Sequence, residues 1–248
     1  MKIIATIEAR MTSSRLPGKV LMRVKKKSFL EYLVERLRKI KELDEIILCT
    51  TRNNTDDILI KKAKELKIKF FRGSENNVLS RVVSAVKKYE ADVVVQITAD
   101  CPIIDYKIVE QAIKLFKSKK YDCVSNSFVR SFPDGMDVNV IKAKALYKTK
   151  LFAKTKSYKE HVTLFIKDNP KIFKIKNFIA DKKNYWPELG VTLDEKKDYL
   201  LLRRIINYFY TKKYFFECND IIKIVRKKNW ISINNVVIRK GYNRKNLK

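Results

Sequence analysis

The feature that most restricts how this chain can fold is an alternation over residues 2–126: short apolar, β-rich runs are separated by segments of helical period. Lys2–Ile7, Glu45–Thr51, Lys69–Phe71, Asp92–Thr98 and Tyr121–Asn126 read as strands. Between them, Phe29–Lys41, Asp56–Leu66, Glu75–Tyr89 and Lys107–Ser118 read as helices, with Phe29, Leu30, Leu33, Val34, Leu37 and Ile40 spaced along one face of the first. The early strands are continuous apolar runs, which is what strands covered by helices on both faces require. The expected architecture is a doubly wound α/β domain.

After residue 127 the rhythm changes. Phe132-Pro133-Asp134-Gly135 is a turn signal, and Met136–Ile141 reads as a strand. Helical stretches at Lys142–Lys154 and Tyr158–Lys167 lead to a strand at Ile172–Ile179, a loop at Lys182–Gly190 and a short strand at Val191–Asp194. Helices at Lys196–Tyr210 and Asp220–Lys228 follow. We expect one domain over residues 1–230, with 128–190 as an inserted subregion and 231–248 as a basic tail.

Composition excludes several classes. The 56 Lys and Arg against 27 Asp and Glu give a net charge of +29. The excess lies in C-terminal runs such as Arg226-Lys227-Lys228 and Arg239-Lys240, and in lysine pairs on helix faces such as Lys61-Lys62 and Lys87-Lys88. That distribution reads as lysine bias whose field attracts anionic small substrates, with a nucleic-acid-binding protein as the alternative from another class. A single histidine rules out a multi-histidine site, and four scattered cysteines without a CxxC indicate neither zinc nor disulfides. No apolar run reaches the roughly 18 residues of a membrane helix, and Glu8 and Arg10 come too early for a signal peptide. A soluble, cytoplasmic protein is expected.

Three places could carry chemistry. The loop Ala9-Arg10-Met11-Thr12-Ser13-Ser14-Arg15-Leu16-Pro17-Gly18-Lys19 sets three cations and three hydroxyls after the first strand. In an open parallel sheet ligands bind outside the carboxyl ends of the strands, so this loop is placed to hold phosphates. It is not a Walker A loop, and no GxGxxG occurs. The strand Val93–Thr98 runs into Asp100-Cys101-Pro102, where a carboxylate suits Mg²⁺ shared with phosphates, or a helix cap near Asp105. Gly190-Val191-Thr192-Leu193-Asp194 ends in a second acid, as suited to capping the following helix as to a metal.

These motifs together resemble the cytidylyltransferases that activate acidic sugars, the 3-deoxy-manno-octulosonate and acylneuraminate enzymes, and most of all their spore-coat polysaccharide branch. The resemblance spans about residues 2–205. It rests on Ala9–Lys19, Phe71-Arg72-Gly73-Ser74-Glu75, Ile97–Pro102, Phe132–Val138, Glu160-His161-Val162-Thr163 and Val191–Asp194. It implies a Rossmann-like three-layer α/β/α nucleotide-diphospho-sugar transferase fold with a mixed, mostly parallel sheet. It implies a Mg²⁺-dependent transfer of CMP from CTP to a small anionic sugar, with release of pyrophosphate, for surface polysaccharide or glycoconjugate synthesis. A sugar phosphate or polyol phosphate is the alternative acceptor.

By the same resemblance Ala9, Arg10, Ser13, Arg15, Lys19, Thr51 and Arg72 belong to the nucleotide site, with Arg10, Lys19 and Asp100 catalytic and Asp100 and Asp194 on the metal. Ser74, Glu75, Asp137, Asn139 and His161 belong to the acceptor side, although His161 suits a structural role equally. Homodimerisation through residues 128–190 is implied as well, with Phe132, Met136 and Trp186 as apolar contacts or core. Two departures fall on the acceptor side: Asn76-Asn77 and Ser80 stand where acids are the pattern, and Asn139 stands where Glu is.

Overall fold

The structure is a computed structural model, and it describes residues 1–237. Its elements in chain order are β1 (Ile3–Glu8), β2 (Arg23–Val24), β3 (Lys27–Ser28), α1 (Phe29–Leu37), β4 (Glu45–Thr51), α2 (Asp57–Glu65), β5 (Lys69–Gly73), α3 (Val78–Lys88) and β6 (Val93–Thr98). There follow α4 (Tyr106–Ser118), β7 (Cys123–Ser125), β8 (Asn139–Lys142), α5 (Ala143–Phe152), α6 (Lys156–Glu160), α7 (Leu164–Asp168), β9 (Ile175–Asn177), α8 (Lys196–Phe209) and α9 (Cys218–Lys227). A seven-stranded sheet has the order β5-β4-β1-β6-β8-β7-β9. β5, β4, β1 and β6 pair in parallel, and β8 runs antiparallel to both of its neighbours. The chain reverses its winding between β1 and β6, so their carboxyl ends open a crevice.

Helices cover both faces, as the continuous apolar strands require. Ile3, Ala5 and Ile7 of β1 and Val93, Val95 and Ile97 of β6 pack in one buried cluster with α1, α4, α8 and α9. Ile4, Ile47, Val94, Cys123 and Ile141 pack on the other face with α3, α5 and α7. α1 begins at a capping box: the Ser28 hydroxyl accepts from the Glu31 N–H, and the Glu31 carboxylate accepts from the Ser28 N–H.

On the α3 face the register row Ile4, Val94, Ile141, Cys123 is wholly apolar. Two residues nearer the carboxyl ends of the parallel strands, the same strands align Thr6, Gln96, Asn139 and Ser125. The core ends at that step and a polar floor begins.

Residues 128–190 contribute β8 and β9 to the same sheet. Phe132 and Met136 are buried core, while Val129, Leu151, Phe152, Ile172, Ile179 and Tyr185 are exposed apolar side chains of that region. The helix expected over Tyr158–Lys167 divides into α6 and α7 around His161-Val162-Thr163. Val191–Asp194 is not a strand; only Gly190 forms a bridge, to Asp134. The fold also passes the expected boundary at 230, since buried Asn234 donates to the Gly190 carbonyl and to Asp198. The expected basic tail beyond 237, including Arg239-Lys240, lies outside the described residues.

Gly135 joins the 132–135 turn to the segment that carries Asp194. Its φ is +109°, and a Cβ there would sit 2.6 Å from the Val191 carbonyl carbon and 2.7 Å from the Thr192 nitrogen, both backbone. Gly135→Ala is therefore expected to cost about 2–4 kcal/mol, read as a fall in urea midpoint with unchanged m-value. A loss below about 0.5 kcal/mol would mean that the two segments separate freely.

Candidate active site

A cleft of about 650 Å³ opens at the carboxyl ends of β1 and β6 and extends over β8. One wall is the loop after β1. Gly18 turns it with a left-handed φ of 70° and donates to the Met11 carbonyl at 2.9 Å. Buried Asp56 holds the loop from below, accepting from the Met11 N–H at 2.8 Å, the Thr50 hydroxyl at 2.8 Å, and the Thr51 N–H and hydroxyl at 3.1 and 2.6 Å. Burial works against its charge, but these donors prevail and hold its pKa below the usual aspartate value.

The loop delivers Lys19 between two acids. Its Nζ lies 3.1 Å from Asp100 Oδ2 and 3.0 Å from Asp194 Oδ1, and Arg15 Nη2 lies 2.9 Å from the same Asp194 oxygen. Asp194 comes to Asp100 without a strand: the Leu193 N–H and the Thr192 hydroxyl both donate to the Asp100 carbonyl, at 2.8 and 3.1 Å. Burial opposes the charge on Lys19, yet the facing carboxylates outweigh it and raise the Lys19 pKa; burial opposes the charge of Asp100 too, and Lys19 with the Thr98 hydroxyl lowers that pKa. Neither acid caps a helix. Asp105 caps α4 by accepting from Lys107 N–H, and Glu195 with Asp198 forms the capping box of α8.

Glu75 ties the loop to the segment before α3. It accepts from the Thr12 hydroxyl at 2.7 Å, Asn53 Nδ2 at 2.6 Å and Arg10 Nη1 at 3.3 Å. The Asn77 side chain caps α3 by accepting from the Ser80 N–H, which gives one of the two asparagines in that segment a local structural role. Across the cleft, Arg130 pairs with Asp134 and Asp137 at 3.1 and 2.9 Å. Burial, with Asp134 alongside, raises the Asp137 pKa against the pull of Arg130. Exposed His161 lies at the mouth beside Lys156 and Glu160.

The cleft thus gathers Ala9, Arg10, Ser13, Arg15, Lys19, Glu75, Asp100, Asp137, Asn139, His161 and Asp194 from distant parts of the sequence. Thr51, Arg72 and Ser74 do not line it. The Thr51 hydroxyl is spent on Asp56, and Arg72 braces the end of β4 through the Thr51 and Asn53 carbonyls and Asp57. Ser74 accepts from Asn77 N–H and, through its carbonyl, from Arg81. Sequence reasoning missed Glu8, Gln96, Arg130 and Asp56. Glu8 and Gln96 had a signal, being polar residues at inward positions of apolar strands. Arg130 and Asp56 had none.

The sequence profile of the cytidylyltransferase family matches residues 4–226. The chain belongs to the cytidylyltransferase family. It is 31% identical over 202 residues to the spore coat polysaccharide biosynthesis protein SpsF of Bacillus subtilis, covering 79% of this chain and 83% of that one. An uncharacterized protein of Methanocaldococcus jannaschii is 35% identical over 249 residues, 98% of each chain. A cytidylyltransferase from Leptospira borgpetersenii serovar Hardjo-bovis superposes with a TM-score of 0.90 at 30% identity, over 96% of this chain and all of the other. The CMP:2-keto-3-deoxy-manno-octonic acid synthetase solved with CTP shares the fold, with a TM-score of 0.63 at 16% identity over 84% of this chain and 99% of the other. The protein is therefore an enzyme of the CTP-dependent nucleotidyltransferase class, and its fold is the three-layer α/β one that the sequence led us to expect. Among the described residues no helix is long and apolar enough to cross a membrane.

Proposed function

We propose that this cytidylyltransferase transfers CMP from CTP to an acidic sugar of the nonulosonic type, for surface polysaccharide or glycoconjugate synthesis. An acceptor hydroxyl oxygen forms a bond to the α-phosphorus, the bond to the bridging oxygen of the β-phosphate breaks, pyrophosphate leaves, and the hydroxyl proton passes to solvent. The observation that supports this reading best is the convergence of Lys19 and Arg15 on Asp100 and Asp194, in a cleft large enough for a nucleotide. Phosphoryl-type transfer depends mainly on positioning and charge neutralisation, and these residues supply both without a histidine.

Four cations of the cleft are paired with acids: Arg10 with Glu75, Lys19 with Asp100 and Asp194, Arg15 with Asp194, and Arg130 with Asp134 and Asp137. When Arg10, Arg15 and Lys19 turn to a triphosphate, Asp100 and Asp194 lose their counter-charge, at a cost of several kcal/mol. A divalent cation offsets that loss, and two carboxylates plus phosphate oxygens are a donor set that suits Mg²⁺. No group of three or more His, Cys, Asp or Glu gathers for a metal among the described residues, and the pair Asp100 and Asp194 would hold the ion together with phosphate oxygens. Bound Mg²⁺ would neutralise phosphate charge and polarise the α-phosphate. Arg10, Arg15 and Lys19 orient the triphosphate and stabilise the departing pyrophosphate.

Pyrophosphate release from each of the four ribonucleoside triphosphates tests the assignment, with a panel of N-acetylneuraminate, 3-deoxy-manno-octulosonate, glucose 1-phosphate and glycerol 3-phosphate. Release with CTP and an acidic sugar is the expected result. Release only with a phosphorylated acceptor would replace the acidic sugar.

A further inference from the structure

A chain of side-chain hydrogen bonds crosses the floor of the cleft from strand to strand. Gln96 Nε2 donates to Glu8 Oε2 at 2.5 Å, Asn139 Nδ2 donates to Gln96 Oε1 at 2.8 Å, and Ser125 Oγ donates to Asn139 Oδ1 at 2.6 Å. These residues stand on β1, β6, β8 and β7, which are neighbours in that order. Gln96, Asn139 and Ser125 are direct register partners.

A primary amide is nearly symmetric in shape but donates at one end and accepts at the other. Turning Gln96 and Asn139 over together would give a chain of the same shape with its bonds reversed. Ser125 permits either direction, because a hydroxyl both donates and accepts. The Glu8 end breaks the tie whenever Glu8 is ionised, because a carboxylate only accepts, whereas the protonated carboxyl can also donate. Gln96 must turn its nitrogen toward Glu8 and its oxygen toward Asn139, and Asn139 must then turn its oxygen toward Ser125.

We propose that Glu8 is a positioning residue that sets the direction of this chain, and through it the pattern of donors and acceptors that the cleft floor offers to the acceptor molecule. Gln96 and Asn139 line the cleft, and each keeps one amide N–H that the chain does not use. With the direction set, those N–H groups stand at defined places, ready for oxygens of a sugar. A glutamine at position 8 would bond Gln96 equally well and leave both directions open.

The carboxylate is also the costlier choice. Glu8 Oε1 is buried without a partner, as is Arg81 Nε of α3 nearby. The groups acting on Glu8 are Thr6 on its own strand, Gln96 of β6, Arg81 of α3, Cys49 of β4 and Asp100 beyond β6. Burial outweighs the help from Gln96, Thr6 and Arg81 and pushes Glu8 up to about 7.

Only the consequence for acceptor binding rests on the transferase reading; the direction of the chain does not. The first arm of the test therefore needs no turnover. In the full chain labelled with ¹⁵N, the side-chain NH₂ resonances of Gln96 and Asn139 should shift together with a shared midpoint near 7, apart from any shift that Asp137 causes near 6, and the shared midpoint should be lost in Glu8→Gln. An Asn139 resonance that ignores the titration would overturn the proposal.

The second arm is kinetic, with CTP and 3-deoxy-manno-octulosonate as probes. Glu8→Gln should raise KM for the sugar about tenfold while KM for CTP stays within about twofold. Equal rises in both, or a fall in kcat alone, would make Glu8 a general structural residue. Absence of turnover in the wild type with this sugar would count against the acceptor assignment, and the resonance arm would still decide the role of Glu8.

Discussion

Replacing Lys19 with alanine is expected to lower kcat/KM for CTP by about 10³-fold. Lys19 bridges Asp100 and Asp194, at 3.1 and 3.0 Å, and it is nearly buried. A cation in a partly dehydrated site, fixed before the reaction, stabilises developing phosphate charge with little reorganisation. Its loss removes that stabilisation and leaves Asp194 with Arg15, and Asp100 with the Thr98 hydroxyl, as remaining partners. Arginine should rescue poorly, because a planar fork does not fit the point between two carboxylates that an ammonium fills. Steady-state kinetics with CTP varied would show the effect. A decrease below tenfold would mean that Lys19 only holds the apo site together.

The second large effect is expected at a residue outside the cleft. Asp56→Ala should destabilise the fold by about 3–5 kcal/mol, because it strips four donors of a shared buried acceptor. For a chain of this size that corresponds to a fall in Tm of roughly 10 °C. Asp56→Asn keeps one accepting oxygen and should lose about half as much. The pH dependence has a definite sign. The folded-state pKa of Asp56 is lowered, so its contribution is complete above the unfolded value of about 3.9 and disappears as pH falls through the folded value. Wild type and Asp56→Ala should therefore converge in stability in strong acid, as chemical denaturation at pH 7 and at successively lower pH would show. A constant difference down to the lowest pH would mean that the Asp56 charge contributes nothing.

Much of this molecule is legible in the sequence, for a physical reason. β1, β4 and β6 are buried on both faces, so their apolar runs could hardly be anything else. The loop from Ala9 to Lys19 concentrates charge and hydroxyls where an open sheet binds ligands, and the structure puts Arg10, Ser13, Arg15 and Lys19 in the cleft. What was misplaced depends on tertiary hydrogen bonds. Val191–Asp194 has strand composition, yet Leu193 and Thr192 bond to the Asp100 carbonyl instead of to a strand. Thr51 and Arg72 look like ligand-binding residues, but Asp56, Asp57 and nearby carbonyls already occupy them. The reverse holds for Glu8 and Gln96. Each is a polar residue in a mostly apolar strand, and only the register that aligns Gln96 with Asn139 and Ser125, with the Gln96–Glu8 hydrogen bond, shows that they begin a continuous polar chain.

In the proposed reaction CMP, and not a larger or smaller part of CTP, ends on an acidic sugar. The most direct measurement is ³¹P NMR and mass spectrometry of the product formed from CTP and N-acetylneuraminate or 3-deoxy-manno-octulosonate with Mg²⁺, with Asp100→Asn run in parallel. A product with a single phosphorus in a phosphodiester, appearing with one equivalent of pyrophosphate and absent from the Asp100→Asn reaction, is the result predicted. A diphosphate-linked product, orthophosphate in place of pyrophosphate, or equal turnover by Asp100→Asn would contradict it.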